Sequence, residues 1–318
     1  MRILLALLVL ALVAVAAFDF TGPDPAPVGE PRVLAHYMPW FQAERQADGS
    51  IRWDHWQWFG KGPKHDPDDV GPDGRRDIAS VFYPLIGPYH GPDPKVLEYH
   101  VLTARATGID GFVADWYGPG TYTDEVFGEL RETAERLGFR VAICLEEKAF
   151  FPGYSAATNR AEVMGIMEQH IRHVLDTHAG SPAYLRREGR PVLFMFNGHG
   201  SGPVGDATLS PAELADVLGR FSNSPVCLVR GHVDAAYLGV VGGAYAWCGD
   251  AQYRRWFYDT SREPRETGLL GYRVGVANPG FDDSGVNGWG VGPRVTDRRG
   301  TQEYEDQWAD VLQARPDA

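Results

Sequence analysis

Asp115, Trp116 and Tyr117 stand together at the end of a short apolar run, Ile109 to Ala114. A carboxylate beside two large rings suits sugar chemistry. Aromatic faces pack on the apolar faces of sugar rings, while carboxylates and amides take the hydroxyls. Glu146 and Glu147 close a second apolar run, Arg140 to Leu145. Adjacent strand residues point to opposite faces, so only one of the two glutamates faces an interior. Glu146 is expected to bind substrate or act as an acid/base, and no residue of the chain is assigned beyond that as catalytic.

The chain holds 9 Trp, 14 Tyr and 15 Phe. Most are expected to be core or loop anchors. Trp40, Trp56, Trp116, Tyr117, Trp247 and Trp289 are the rings expected at a ligand. Asp66, Asp68, Asp69 and Asp73 cluster near His65 but lack the alternating ligands, sixth-place Gly and terminal Glu of a calcium loop, so no metal is expected. His100 sits in mid-helix and reads as structural. Glu129, Glu132 and Glu135, beside Arg131 and Arg136, read as a solvated helix face. There is no H-E-x-x-H, no G-x-S-x-G and no paired Cys motif, and no G-x-G-x-x-G or phosphate loop follows the first strand. No cofactor is expected. The net charge of −12, from 42 acidic and 30 basic residues without a Lys/Arg block, argues against nucleic acid as a partner.

These residues need a scaffold. Val33 to Ala35 reads as a first strand running into His36-Tyr37-Met38-Pro39-Trp40. Residues 41–92 form a long loop insertion, a length usually tied to function. Asp93-Pro94 starts a helix that Gly108 stops. Strand 109–114 follows, then a helix from Asp124 to Leu137 ended by Gly138, strand 140–146, and a helix from about residue 160 to 177. Strand 191–197 ends at Asn197. Ser210-Pro211 caps a helix to Phe221, and strand 226–229 reaches Arg230 and His232. Gly243 to Trp247 and Tyr272 to Ala277 are the last strands, and a helix runs from Gln302 to Ala314.

Alternating strands and helices predict a parallel sheet. Polar or aromatic residues recur at the strand C-ends: His36, Asp115, Glu146, Asn197, Arg230, Trp247 and Asn278. That pattern suits the working face of a (β/α)8 TIM-type barrel better than the single crevice of an open sheet. Seven strands are counted before the chain reaches Arg315-Pro316-Asp317-Ala318. The eighth is therefore expected to be missing, leaving two open parallel edges.

Met1-Arg2, the apolar run Ile3 to Ala17 and its small-residue end have the form of a cleaved signal peptide. About 15 apolar residues is short for a membrane span. The protein is expected to be secreted or periplasmic, with no stable membrane insertion after cleavage; an uncleaved anchor is the alternative. A linker over 18–32 leads into one barrel domain, 33–318. Cys144 reads as a buried thiol. A Cys227–Cys248 disulfide is left open, because sequence does not place the sulfurs.

Tyr37-Met38-Pro39-Trp40, His55-Trp56, Pro67-Asp68-Asp69-Val70-Gly71 and the segment Phe82 to Tyr117 resemble glycoside hydrolase family 99, the endo-α-mannosidases. Pro182-Ala183-Tyr184 with 190–197, and Val274 to Asp283 with Trp289 and the run to Arg315-Pro316, extend the resemblance over residues 33 to 316. It implies a (β/α)8 barrel and an oligosaccharide or polysaccharide substrate. It also implies retaining cleavage inside α-mannosyl glycans, with the substrate's 2-hydroxyl as internal nucleophile. Glu146 would contact substrate, and Tyr37, Tyr117, Tyr245 and Trp247 would be pocket aromatics. Two departures stand out. The family's Glu-Pro-Tyr reads Glu146-Glu147-Lys148 here. Its Asn-Glu-Trp-x-Glu motif on the eighth strand has no counterpart, since no Asn-Glu occurs in the chain. The 318 residues are therefore expected to have little hydrolase activity. A carbohydrate-binding relative without catalysis and an α-glucanase on the same barrel stay open as alternatives.

Overall fold

The computed structural model describes residues 32–146, 157, 159–196, 201–202, 205–206, 209–231, 236–247 and 251–317. The signal-peptide expectation, most of the linker, Glu147, Asn197, His232 and Cys248 lie outside the described residues.

Seven strands form one parallel sheet in chain order: β1 (Leu34–Tyr37), β2 (Gly111–Trp116), β3 (Arg140–Leu145), β4 (Arg190–Met195), β5 (Val226–Arg230), β6 (Gly243–Tyr245) and β7 (Tyr272–Val274). Every neighbouring pair is parallel. Sequential order with helical crossovers is the topology of a TIM-type barrel. All seven are the strands expected from the sequence. Among the described residues no eighth parallel strand joins β7 to β1. The chain leaving the last helix does return to β7: Asp317 N donates to Arg273 O at 2.7 Å, and Arg273 N donates back to Asp317 Oδ2 at 2.9 Å.

Period-two alternation divides the core into two layers. Leu34, Val113, Ala142, Cys144, Phe194, Leu228, Tyr245 and Val274 fill the barrel interior. Phe112, Ala114, Trp116, Val141, Ile143 and Leu145 face outward, against the helices.

Helix α1 (Pro94–Ala106) is capped by the Asp93 side chain and buries Leu97, Val101 and Ala104. Helix α2 (Tyr122–Leu137) starts two residues before the expected Asp124, because Thr121 is its N-cap; Gly138 ends it in the left-handed region. Helix α3 (Arg160–His173) stops short of Thr177, and a π-turn, Val174–His178, takes over. Helix α4 (Pro211–Gly219) has a reciprocal cap between Ser210 and Glu213. Helix α5 (Ala251–Glu266) is a correction, for no helix was expected there. Its buried face is Arg254, Phe257, Tyr258 and Ser261, so charge and hydroxyl interrupt the apolar stripe. Helix α6 (Gln302–Ala314) has the expected bounds.

The insertion 41–92 is not all loop. Gln42–Arg45 and Ile51–Asp54 pair as an antiparallel hairpin, and Trp53, Trp56 and Ile78 make a small core of their own. The insertion is seated against the far end of the chain. A Cβ on Gly285 would meet Ala79 O at 2.0 Å, and one on Gly62 would meet Asn287 Cβ at 2.4 Å.

Candidate functional site

The inward alternation of β1, β2 and β3 brings His36, Asp115 and Cys144 to the top of the barrel interior. Asp115 is the register partner of Cys144 across β2 and β3, and His36 is the partner of Val113, one inward step below Asp115. The chain leaving β3 places Glu146 beside them, with Glu146 N donating to Trp116 O at 3.1 Å.

Asp115 is 2% exposed. Burial, and then the neighbouring Glu146 charge, hold its carboxyl well above the usual carboxylate range; the two side chains share a hydrogen bond. The rise favours a proton on Asp115, shared with Glu146. Tyr117 bonds to Asp115 and opposes the rise. Trp40 also opposes it from close by, although its indole N–H is buried without a well-aligned acceptor. Burial, followed by the Asp115 and Glu146 charges, pushes the Tyr117 phenol far up, so it remains a donor.

Trp40 and Tyr117 have a second role. Their rings stack at 6.3 Å between centroids and line an open cleft of about 980 Å³. Trp289 meets Trp40 edge-on at 6.2 Å, and Trp58 and His55 lie 5.6 Å and 5.9 Å from the Trp289 ring. Gln42, Glu44, Asp54, Gln57 and Glu129 supply polar groups along the cleft. Trp289 is 51% exposed. It and His55 both have φ 58°, a left-handed backbone that bulky side chains rarely adopt. Strain at two touching rim residues is the pattern expected of a binding edge.

Around the barrel, Trp247 packs edge-on to His36 at 4.4 Å and to Phe196 at 4.9 Å. The Arg230 guanidinium lies 3.8 Å over the Phe196 ring. Tyr245 is deeper, buried in the interior, with its hydroxyl 3.5 Å from Cys144 Sγ and donating to Met195 O at 3.3 Å.

Three residues expected at the site are elsewhere, two of them because strand neighbours point apart. Trp116 follows the inward Asp115 and so points outward; it is fully buried against α2 and α3, where its Nε1 donates to Asp124 Oδ1 at 3.0 Å. Tyr37 follows the inward His36 and so faces α1, stacked on Phe112 at 5.0 Å with its hydroxyl 3.1 Å from His100 Nδ1. Trp56 is buried in the insertion core and donates to Tyr89 O at 2.9 Å. His36, Trp40, Asp115, Tyr117, Glu146 and Trp247 gather around the barrel mouth, with Trp289 on the cleft rim. His55 and Trp58 are rim residues that the sequence reading did not select; the alternation of Trp56 and Trp58 within one short segment was the signal.

The acidic run near His65 does not converge on a point. Asp68 Oδ1 accepts from Trp53 Nε1, Asp66 Oδ1 from Asp68 N, Asp73 Oδ1 from Arg75 N, and Asp77 pairs with His65 at 2.7 Å. These carboxylates hold loop backbone and the side chains of Trp53 and His65.

Residues 30–210 match the family model described as Glycosyl hydrolase family 99. The glycoprotein endo-alpha-1,2-mannosidase-like protein of Mus musculus is 26% identical over 57% of this chain and 41% of its own length. Its Danio rerio namesake is 23% identical over 94% of this chain and 69% of its own length. The match to the first of these thus spans about two fifths of the relative. Among solved structures, the GH99 endo-alpha-mannosidase from Bacteroides thetaiotaomicron superposes with a TM-score of 0.68 over 91% of this chain and 83% of that one. At 18% identity it speaks for the fold. With more than half of its residues matched by the family model, the chain belongs to glycosyl hydrolase family 99.

Proposed function

We propose that the chain forms the glycan-binding cleft of an exported glycoside hydrolase that cleaves within α-linked mannose chains, with retention at the anomeric carbon. Family membership and the names of its relatives, glycoprotein endo-alpha-1,2-mannosidase-like proteins, support the substrate class. One observation carries the reading: the hydrogen-bonded Asp115–Glu146 pair is bonded in turn to Tyr117, which lines the cleft together with Trp40. Such a set matches a hexose, with ring faces for its apolar side and the half-buried Glu146 at the barrel mouth to take its hydroxyls. Glu146 is the substrate-contacting carboxylate and Asp115 the proton holder that orients it.

Retaining hydrolysis of this kind needs two further carboxylates, and the Asn-Glu-Trp-x-Glu that carries them in the family has no counterpart in this sequence. The 318-residue chain is therefore expected to bind the glycan and turn it over slowly. Calorimetric titration with an α-1,2-linked mannose oligosaccharide, with NMR of the anomeric products, tests both statements. Binding that E146Q weakens supports the cleft; no binding by folded protein ends the reading. Rapid turnover would overturn the expectation of low activity and move the chemistry onto Glu146.

A further inference from the structure

The mouth of the barrel contains a donor set that sugar binding does not require. His36, Asp115 and Cys144 come from three adjacent strands, and one ligand atom from each lies within 4.8 Å of the others. An imidazole, a carboxylate and a thiol form a mixed nitrogen, oxygen and sulfur set, the chemistry that a borderline-soft divalent ion such as Zn²⁺ selects.

Two of the three carry buried atoms with nothing to bond. His36 Nε2 and Asp115 Oδ1 are both out of solvent reach, and neither has a hydrogen-bond partner. Orphaned polar atoms in a barrel interior are costly, and these two belong to residues of the same cluster. Supporting residues are in place as well. The Tyr245 hydroxyl lies 3.5 Å from Cys144 Sγ, Glu146 bonds to Asp115, and the edge of Trp247 fixes the His36 ring at 4.4 Å.

A second cluster, Asp124 with His173 and His178, is a weaker candidate. Both histidine Nε2 atoms already bond to the Asp124 carboxylate, at 3.2 Å and 2.9 Å. Ligating through Nε2 would also leave His178 Nδ1–H buried with no acceptor.

We infer that His36, Asp115 and Cys144 form a three-ligand site for a zinc ion at the mouth of the barrel, with a further coordination position toward Glu146. The inference does not depend on glycan cleavage. Binding displaces the protons of Asp115 and Cys144 to solvent and leaves the ion in place of the proton that Asp115 shares with Glu146.

The test uses the full chain stripped with a chelator. Titration with Zn²⁺ is expected to saturate at one ion per chain. Co²⁺ is expected to give a thiolate-to-metal charge-transfer band, and X-ray absorption of the zinc form one sulfur at about 2.3 Å with nitrogen and oxygen neighbours. C144S should abolish the band and weaken Zn²⁺ binding by about tenfold or more; D115N should weaken it without removing the sulfur signal. Absence of a stoichiometric ion overturns the site, as does an absorption spectrum without sulfur. A band that survives in C144S, or binding lost in H173A and kept in C144S, would place the metal elsewhere and also overturn it. The absorption measurement on unmodified protein decides the case even if C144S does not fold.

Discussion

The Tyr37 hydroxyl lies 3.1 Å from His100 Nδ1, joining the last residue of β1 to the middle of α1 on the outer side of the barrel. The Tyr89 ring closes on the same imidazole edge-on at 4.9 Å. Y37F is expected to lower stability by about 1 kcal/mol, the usual value of one part-buried hydrogen bond, and to leave glycan affinity unchanged. Urea denaturation and calorimetry of the same variant check both halves. An affinity loss without a stability loss would put Tyr37 back in the cleft.

The buried histidines of α1 and α3, His100 and His170, predict acid sensitivity. Burial lowers the pKa of both His100 and His170 to about 4, from an ordinary value of 6.5. A folded-state pKa below the unfolded one means that the unfolded chain binds more protons between those values. The contribution is therefore complete above pH 6.5 and is lost as pH falls toward 4. Denaturant midpoints measured at pH 7 and pH 5 should differ by about 2 kcal/mol or more of stability. H100Q should reduce the difference, and an unchanged slope in that variant would refute the assignment.

Trp40 and Trp289 meet at the cleft rim, whereas Trp116 lies under α2. W40A and W289A are each expected to weaken glycan binding about tenfold, equivalent to roughly 1.4 kcal/mol. W116F removes the bond to Asp124 and should cost about 1–3 kcal/mol of stability with little effect on affinity. The reverse pattern would relocate the binding surface.

Gly285 has backbone in the place where a Cβ would go, with Ala79 O at 2.0 Å from that position. G285A must push the insertion away from the Ser284–Gly290 turn that carries Trp289. Overpacking of this kind costs about 1–3 kcal/mol, and glycan affinity should fall with it. The neighbouring G290A has a nearest approach of 3.8 Å to a flexible lysine side chain, so its cost is confined to its positive φ. Thermal melts of the two variants compare the causes directly.

Asp317 ties α5 and β7 together. Its carboxylate pairs with Arg265 at 2.8 Å and accepts from Arg273 N at 2.9 Å, while Arg273 is itself buried. D317A is expected to destabilise the β7 end by about 1–3 kcal/mol, because a buried amide loses its acceptor. Hydrogen exchange at Arg273 should report it first.

The strands were legible because each is a short apolar run between Gly, Pro or a capped helix, and a parallel sheet buries both of its faces. Helix α6 was legible for the complementary reason that its polar and apolar residues separate by period. Helix α5 was not, because its core face is built on Arg254, which pairs with Asp310 at 3.3 Å, and on Ser261. No apolar count detects a buried charge whose partner lies on another helix. The site was legible in part. Asp115, Tyr117 and Glu146 follow from strand ends, but naming Trp116 beside Asp115 and Tyr37 beside His36 overlooked the alternation that sends neighbours to opposite faces. The rim could not be read from local sequence, since His55, Trp58 and Trp289 meet only through tertiary packing.

That rim joins Trp40 and His55, near the start of the described chain, to Trp289, near its end. Synthesis proceeds from the N-terminus, so Trp40, His55 and Trp58 leave the ribosome long before the ring that completes their cluster. Contacts this distant in sequence close slowly. The rim is therefore completed only after Trp289 has been made, whereas the insertion's own core of Trp53, Trp56 and Ile78 lies within residues made long before it.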